Sequence, residues 1–265
     1  MNYQQICEQV KELVLEVGSF IREERKHFNS DRIEVKGQAD FVSYVDKTSE
    51  RRLVEKLEKI LPEAGFIAEE GTSTRRGERF NWIIDPLDGT TNFIHGIAPY
   101  AISIALNEGQ ETVIGIVLEI NLNECFYAWK GSKVYLNGKE IQVSEAATTK
   151  DALIATGFPY YNFDRLSDYI NSMDYFLRNS HGMRRLGSAA TDLAYVAAGR
   201  FEAFYEYALH AWDVAAGAFL VRQAGGIVSD FKGGDDYIFG EEIVASNNNY
   251  YDEFFSIVKQ HLVKL

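Results

Sequence analysis

Apolar residues at Ile6, Val10, Leu13, Val14, Val17 and Ile21 recur every three or four positions, with glutamates and lysines between them. That spacing predicts an amphipathic N-terminal helix with one face in a core. A second stripe, Leu53, Val54, Leu57, Ile60 and Leu61, predicts a helix that follows Asp46 and stops at Pro62 and Gly65. From Ala101 to Val143 the period changes. Residues 102–106, 113–120, 126–129 and 134–136 form alternating or continuous apolar runs, which predict an antiparallel meander, and Asn137-Gly138 is a strong hairpin signal. Beyond the small and polar stretch 144–148 the pattern is mixed. Residues 152–155 and 201–205 predict strands, 166–177 and 189–198 helices, and a helix after Asp213 ends at Gly225-Gly226. Residues 227–229 and 243–245 add strands before a terminal helix. The chain has no internal repeat and no low-complexity segment.

One segment departs from this ordinary alternation: Trp82-Ile83-Ile84-Asp85-Pro86-Leu87-Asp88-Gly89-Thr90-Thr91-Asn92-Phe93. An apolar run that predicts a buried strand ends in a carboxylate, a proline that forbids the ladder to continue, and a second carboxylate. On the irregular turn past the strand, Asp85 and Asp88 are hard oxygen ligands that can converge on a divalent cation. Gly89-Thr90-Thr91 then offers backbone N–H groups and hydroxyls, at a helix start, to an anion held by that cation. Upstream, Phe66-Ile67-Ala68-Glu69-Glu70 repeats the logic of a short strand that ends in acids. Downstream, Trp212-Asp213-Val214-Ala215 puts an acid at a helix start, where alone it is an N-cap and as a third acid a ligand. Carboxylates and carbonyls favour magnesium, calcium or manganese over zinc, and no Cys/His cluster competes, since His95, His181 and His210 stand apart in sequence.

Together with the early segment Asp40-Phe41-Val42-Ser43-Tyr44-Val45-Asp46 and with Gly225-Gly226, these motifs resemble the inositol monophosphatase family of magnesium-dependent, lithium-sensitive phosphatases. They span most of the chain in the family's order. The resemblance implies a layered α/β/α/β/α sandwich with the active site between two subdomains. Here these are 1–147, α+β with the metal motifs and an antiparallel sheet, and 148–265, α/β with a further metal ligand and the substrate pocket. It implies that Glu69, Asp85 and the carbonyl of Leu87 hold one metal, and that Asp85, Asp88 and Asp213 hold a second, with Asp85 bridging. Two or three Mg2+ per site follow, with Mn2+ as an alternative and Li+ and Ca2+ as inhibitors. Thr90, hydrogen-bonded to Asp46, activates or orients the attacking water, and Glu69 completes the catalytic group. Asp88, Gly89, Thr90, Thr91 and Asp213 also touch the substrate. Gly187, Ser188 and Ala189 line another part of its pocket, and Glu206 faces its hydroxyls. The resemblance also implies a homodimer acting on a small phosphorylated metabolite.

Two cations about 3.5–4 Å apart can clamp a phosphate and stabilise an in-line displacement, so no protein nucleophile is needed. Asp85-Pro86-Leu87-Asp88 superficially resembles the aspartyl-phosphate, haloacid dehalogenase class. That class places one residue between its aspartates, and here two intervene. Inositol monophosphate is the expected substrate. Fructose 1,6-bisphosphate, adenosine 3′,5′-bisphosphate and the 2′-phosphate of NADP(H) are alternatives on the same core, and a non-catalytic binding protein on the same scaffold is the reading from another class. The segment 72–78 carries Arg75 and Arg76, whose guanidinium groups match the geometry of an extra phosphate on a larger substrate.

Composition narrows the partners. At 265 residues, 46% hydrophobic and 25% charged, the chain can bury a substantial core as one compact unit of two subdomains. The formal net charge of −12 excludes a general nucleic-acid binder, and it requires cations to neutralise the acids before phosphate approaches. Cys7 and Cys125 lack metal-ligand spacing, and with no secretory signal they fit a reducing cytoplasm. No stretch approaches the roughly 20 apolar residues that span a bilayer, so no membrane partner is expected.

Overall fold

The computed structural model describes residues 1–28, 33–37 and 40–263. Helix α1 (Tyr3–Lys26) opens on Asn2, whose side chain accepts from the Gln5 N–H, and buries the predicted stripe. Strands β1 (Ile33–Gly37) and β2 (Asp40–Ser43) form an antiparallel ribbon that leads into α2 (Tyr44–Ile60). Ser43 and Asp46 cap α2 reciprocally, so Asp46 lies inside its first turn and not ahead of the helix as expected. Strands β3 (Gly65–Ala68) and β4 (Phe80–Asp88) pair in parallel and are followed by the short helix α3 (Thr90–His95). The meander then runs through β5 (Ala101–Glu108), β6 (Glu111–Glu119), β7 (Glu124–Trp129), β8 (Val134–Leu136) and β9 (Lys139–Ile141), with Asn137-Gly138 turning β8 into β9. The seven strands β3 to β9 lie in sequence order.

The second half alternates. Strand β10 (Leu153–Thr156), helix α4 (Leu166–Asn179), strand β11 (Gly182–Arg184), helix α5 (Ala189–Ala197), strand β12 (Ala203–Tyr207) and helix α6 (Ala211–Gln223) precede β13 (Ile227–Ser229), β14 (Glu242–Ser246) and helix α7 (Tyr251–Leu262). The sheet order is β11-β10-β12-β14-β13, with β11, β10 and β12 mutually parallel. The expected strand at 201–205 forms two residues later, which brings Glu206 into its last residues.

Three apolar clusters establish the layering. One joins α1 and α2 to one face of the seven-stranded sheet. The second packs α5 and α6 between the other face of that sheet, through Ile83, Ala105 and Val117, and the second sheet, through Phe204, Ile243 and Ala245. The third places α4 and α7 on the second sheet's outer face. The order is α/β/α/β/α. Helix α6 is buried on nearly every side, which explains why its sequence is apolar without a stripe.

Candidate active site

The chemistry collects where strands end. Strand β4 does not stop at Asp85. It continues to Asp88 across an irregular step at Pro86 and Leu87, so the proline sits where the ladder to β5 is already interrupted. Asp85 is 2% exposed and accepts the Leu87 N–H at 2.9 Å, which turns its carboxylate toward the end of the strand. Gly89 follows at φ 92°, a left-handed conformation that glycine adopts without strain, and directs the chain into α3. Glu69 follows β3, beside β4 in the parallel pair, and its N–H donates to the Ile84 carbonyl.

Asp88 reaches into the second half. Its Oδ2 accepts the Ser188 hydroxyl at 2.6 Å and the Ala190 N–H at 2.7 Å, at the start of α5. Asp213 lies in the first turn of α6, where its Oδ2 accepts the His210 N–H at 2.6 Å, so it opens the helix as its third residue, with His210 in the capping position. Carboxylate oxygens of Asp85, Asp88 and Asp213 lie within 4.8 Å of one another. Burial, then the charges of Glu69, Asp88 and Asp213, hold the Asp85 carboxyl well above the usual carboxylate range. Burial raises Asp88 to about 6, against the pull of Ser188 and the α5 amides, and raises Asp213 to about 7 with the charge of Asp88 adding to it. Three crowded carboxylates that repel one another could hold a cation, and a hard divalent ion fits this donor set. The Leu87 carbonyl lines the same cavity.

Behind the cluster, the Thr90 hydroxyl lies 2.7 Å from Asp46 Oδ1 and 3.0 Å from the Leu87 carbonyl; its single proton goes to the nearer of these acceptors, Asp46. Asp46 is fully buried. Burial raises its carboxyl, and hydrogen bonds from Ser43 and Thr90 partly offset that.

The cavity measures about 310 Å3, and every expected site residue except Asp46 lines it. Its far side is built by the second sheet, at the carboxyl ends of three parallel strands, which is where open α/β sheets place ligands. Arg185 follows β11, Gly157 follows β10, and Glu206 stands near the end of β12. Burial, then the charge of Asp213, raises the Glu206 carboxyl well above its ordinary range. Asn92 joins the two halves by donating to the Pro99 and Leu186 carbonyls, both at 2.8 Å.

Arg75 and Arg76 do not line this cavity. Arg75 donates to the Ala64 carbonyl at 2.7 Å and pairs with Glu58 at 3.4 Å, so the segment 72–78 does not bring it to the phosphate. The cavity's guanidinium is that of Arg185, which the sequence reading missed together with Gly157, Tyr160 and Asp192. Two signals were available. Arg184-Arg185 stands directly before the Gly187-Ser188 helix start, and Asp192 is an acid in the otherwise apolar run Ala189-Ala190-Thr191-Asp192-Leu193-Ala194. His210 also lines the cavity, stacked against Tyr161 with ring centroids 5.6 Å apart and tilted against Trp212 at 4.8 Å. Both cysteines are buried free thiols. No helix among the described residues is long and apolar enough to cross a membrane.

Comparison with known proteins agrees with this geometry. The family model described as the inositol monophosphatase family matches residues 2–262. The chain is 40% identical over 232 residues to the Nus factor SuhB of Pseudomonas aeruginosa, covering 86% of each. It is 38% identical over 237 residues to an inositol-1-monophosphatase of Rhizobium meliloti, covering 89% of each. The crystal structure of the extragenic suppressor protein suhB from Bartonella henselae superimposes with a TM-score of 0.88 at 36% identity, over 94% of this chain and 96% of that one.

Proposed function

The chain belongs to the inositol monophosphatase family, and on that premise we propose that it hydrolyses small phosphate monoesters, inositol monophosphates foremost, with magnesium as cofactor. The observation that carries the reading is the convergence of the Asp85, Asp88 and Asp213 oxygens within 4.8 Å at one cavity. Bound there, divalent cations neutralise the phosphate and lower the pKa of the attacking water.

The chain's own residues do the rest. Asp85 and Asp213 hold the cations, with Glu69 and the Leu87 carbonyl completing the donor set. Asp88 joins them and, through its bonds to Ser188 and Ala190, fixes the start of α5 against the cation site. The Gly89, Thr90 and Thr91 amides face the phosphate. Thr90, its hydroxyl proton directed to Asp46 at 2.7 Å, keeps a lone pair with which it accepts a hydrogen bond from the water and orients it, and it takes the water's proton only as its own passes to Asp46. Ser188 and Ala189 close the pocket beside Gly187, and Glu206 accepts hydrogen bonds from substrate hydroxyls. Lithium and calcium inhibition belong to the same reading.

The test is phosphate release from inositol 1-phosphate, fructose 1,6-bisphosphate, adenosine 3′,5′-bisphosphate and NADP at equal magnesium, with chelator controls and the Asp85→Asn variant. We expect magnesium-dependent release, fastest from inositol 1-phosphate and abolished in the variant. The relative named Nus factor SuhB favours a second reading, a role other than hydrolysis. An intact wild-type chain that released phosphate from none of the four would move the assignment there.

A further inference from the structure

The second sheet's side of the cavity holds two buried polar atoms that no protein group satisfies among the described residues: Asp192 Oδ1 and Arg185 Nε. Asp192 is 1% exposed. A buried carboxyl without a partner is costly, and nothing in the packing of α5 requires one there. Its helical neighbours Ala189, Ala190, Leu193 and Ala194 are all buried and apolar, so a small apolar residue would suit the helix as well. Nor is the acid engaged with the nearby cation. The Arg185 Nη2 donates to the Tyr160 hydroxyl at 2.5 Å, and its guanidinium lies over the rings of Phe158 and Tyr160, 5.2 and 5.7 Å from their centroids.

Glu206 stands on the same side under a matching constraint. A Cβ at Gly157 would lie 1.9 to 2.1 Å from its carboxylate atoms, so the glycine leaves room for the acid to occupy this position. Two acids, Asp192 and Glu206, thus line the wall together with the donor-rich Arg185. Acceptors beside a donor match hydroxyl groups, each of which donates and accepts at once. They do not match a second phosphate, which the acids would repel.

We propose that Asp192 is a recognition residue for a substrate hydroxyl, acting beside Glu206, so that this wall selects phosphorylated polyols with hydroxyls on neighbouring carbons. The inference rests on the phosphatase reading and narrows its substrate class. It also explains why an acid that weakens the fold is kept on an apolar helix.

The experiment compares inositol 1-phosphate with p-nitrophenyl phosphate, which presents no hydroxyl, in the full chain and in Asp192→Asn and Asp192→Ser at saturating magnesium. For both variants we expect the ratio of kcat/KM for inositol 1-phosphate to that for p-nitrophenyl phosphate to fall about fivefold, carried by KM, because the hydrogen bond between the substrate hydroxyl and the buried carboxyl is lost. The thermal midpoint should hold or rise, which a structural aspartate would not allow. An unchanged ratio, or variants that melt earlier or fail to fold, overturns the assignment. A wild type that cleaves p-nitrophenyl phosphate but not inositol 1-phosphate sinks the hydroxyl wall and leaves the phosphatase. A wild type that cleaves neither sinks the phosphatase reading itself.

Discussion

Lowering the pH from 8 to 6 should weaken magnesium binding by about twentyfold, because the cation competes with protons for the same oxygens. Asp88 stands at about 6 and Asp213 at about 7, raised chiefly by burial. At pH 8 both are mostly carboxylates. At pH 6 roughly half of the first and nine-tenths of the second carry protons, and the product of the two occupancy factors is about 20. Asp85, held higher still by burial and by Glu69, Asp88 and Asp213, pushes in the same direction. For the metal-free chain the sign inverts. A carboxyl raised in the folded state favours the protonated fold, so its contribution to stability is full below the unfolded value and is lost as pH rises through 6 and 7. Calorimetric titration with magnesium in two buffers of different ionisation heat counts the protons released, and melting in chelator follows the fold. Equal affinity at pH 8 and 6 without proton release would refute the argument, as would a metal-free chain that melts earlier at pH 6 than at pH 8.

Two further outcomes follow from single contacts. Thr90→Ala removes the hydroxyl between Asp46 and the Leu87 carbonyl and should lower kcat on the order of 10²-fold with KM nearly constant, measured in steady-state assays. A phosphorylated Asp85 trapped during turnover would instead point to covalent chemistry. Gly157→Ala would drive a methyl group into the Glu206 carboxylate, so KM for a polyol phosphate should rise about tenfold while the magnesium concentration at half-activity stays put. A shift in that magnesium requirement would place Glu206 among the cation ligands.

The outer layers were legible because their helices carry one apolar face each. The stripe from Ile6 to Ile21 is the face that α1 buries, and the 102–136 meander appeared strand for strand. Helix α6 could be placed only by its acid and its terminal glycines, since a middle-layer helix has no polar side to set a period. Strand β11, three residues long with none fully buried, gives no pattern above its surroundings. Asp85, Asp88 and Asp213 lie close together, and the sequence marks each spot: Asp85 by the proline after it, Asp88 at the end of β4 and Asp213 in the first turn of α6. The recognition wall was harder to read. Arg185, Gly157 and Asp192 come from separate loops and a helix, and only the parallel pairing of β11, β10 and β12 brings them to one side of the cavity. For Arg75 the sequence left an exposed loop and a phosphate contact both open, since the residue type suits either, and the carbonyl of Ala64 and the carboxylate of Glu58 hold it away from the cavity.

The division of labour between the two sheets has a mechanical basis in the middle layer. Asp85 and Asp88 come from the first sheet, whereas Asp213 comes from α6, which packs against both sheets. A cation shared by the three therefore ties the first sheet to the helices that also support the second. Asp88 extends the tie by holding the start of α5 through Ser188 and Ala190, and Asp192 lies in the first turn of that helix. The distance from the reacting phosphate to the hydroxyl-facing wall is then set by one short helix and not by flexible loops. A site built in this way carries the residues at 157, 185 and 192 on other elements than the acids at 85 and 88, yet the two groups still feel each other's charge: Arg185 lowers the Asp88 carboxyl and Asp88 raises that of Asp192. On the proposed function, substrate hydroxyls are read on the second sheet's side of the cavity and the cations are held from β4 and α6.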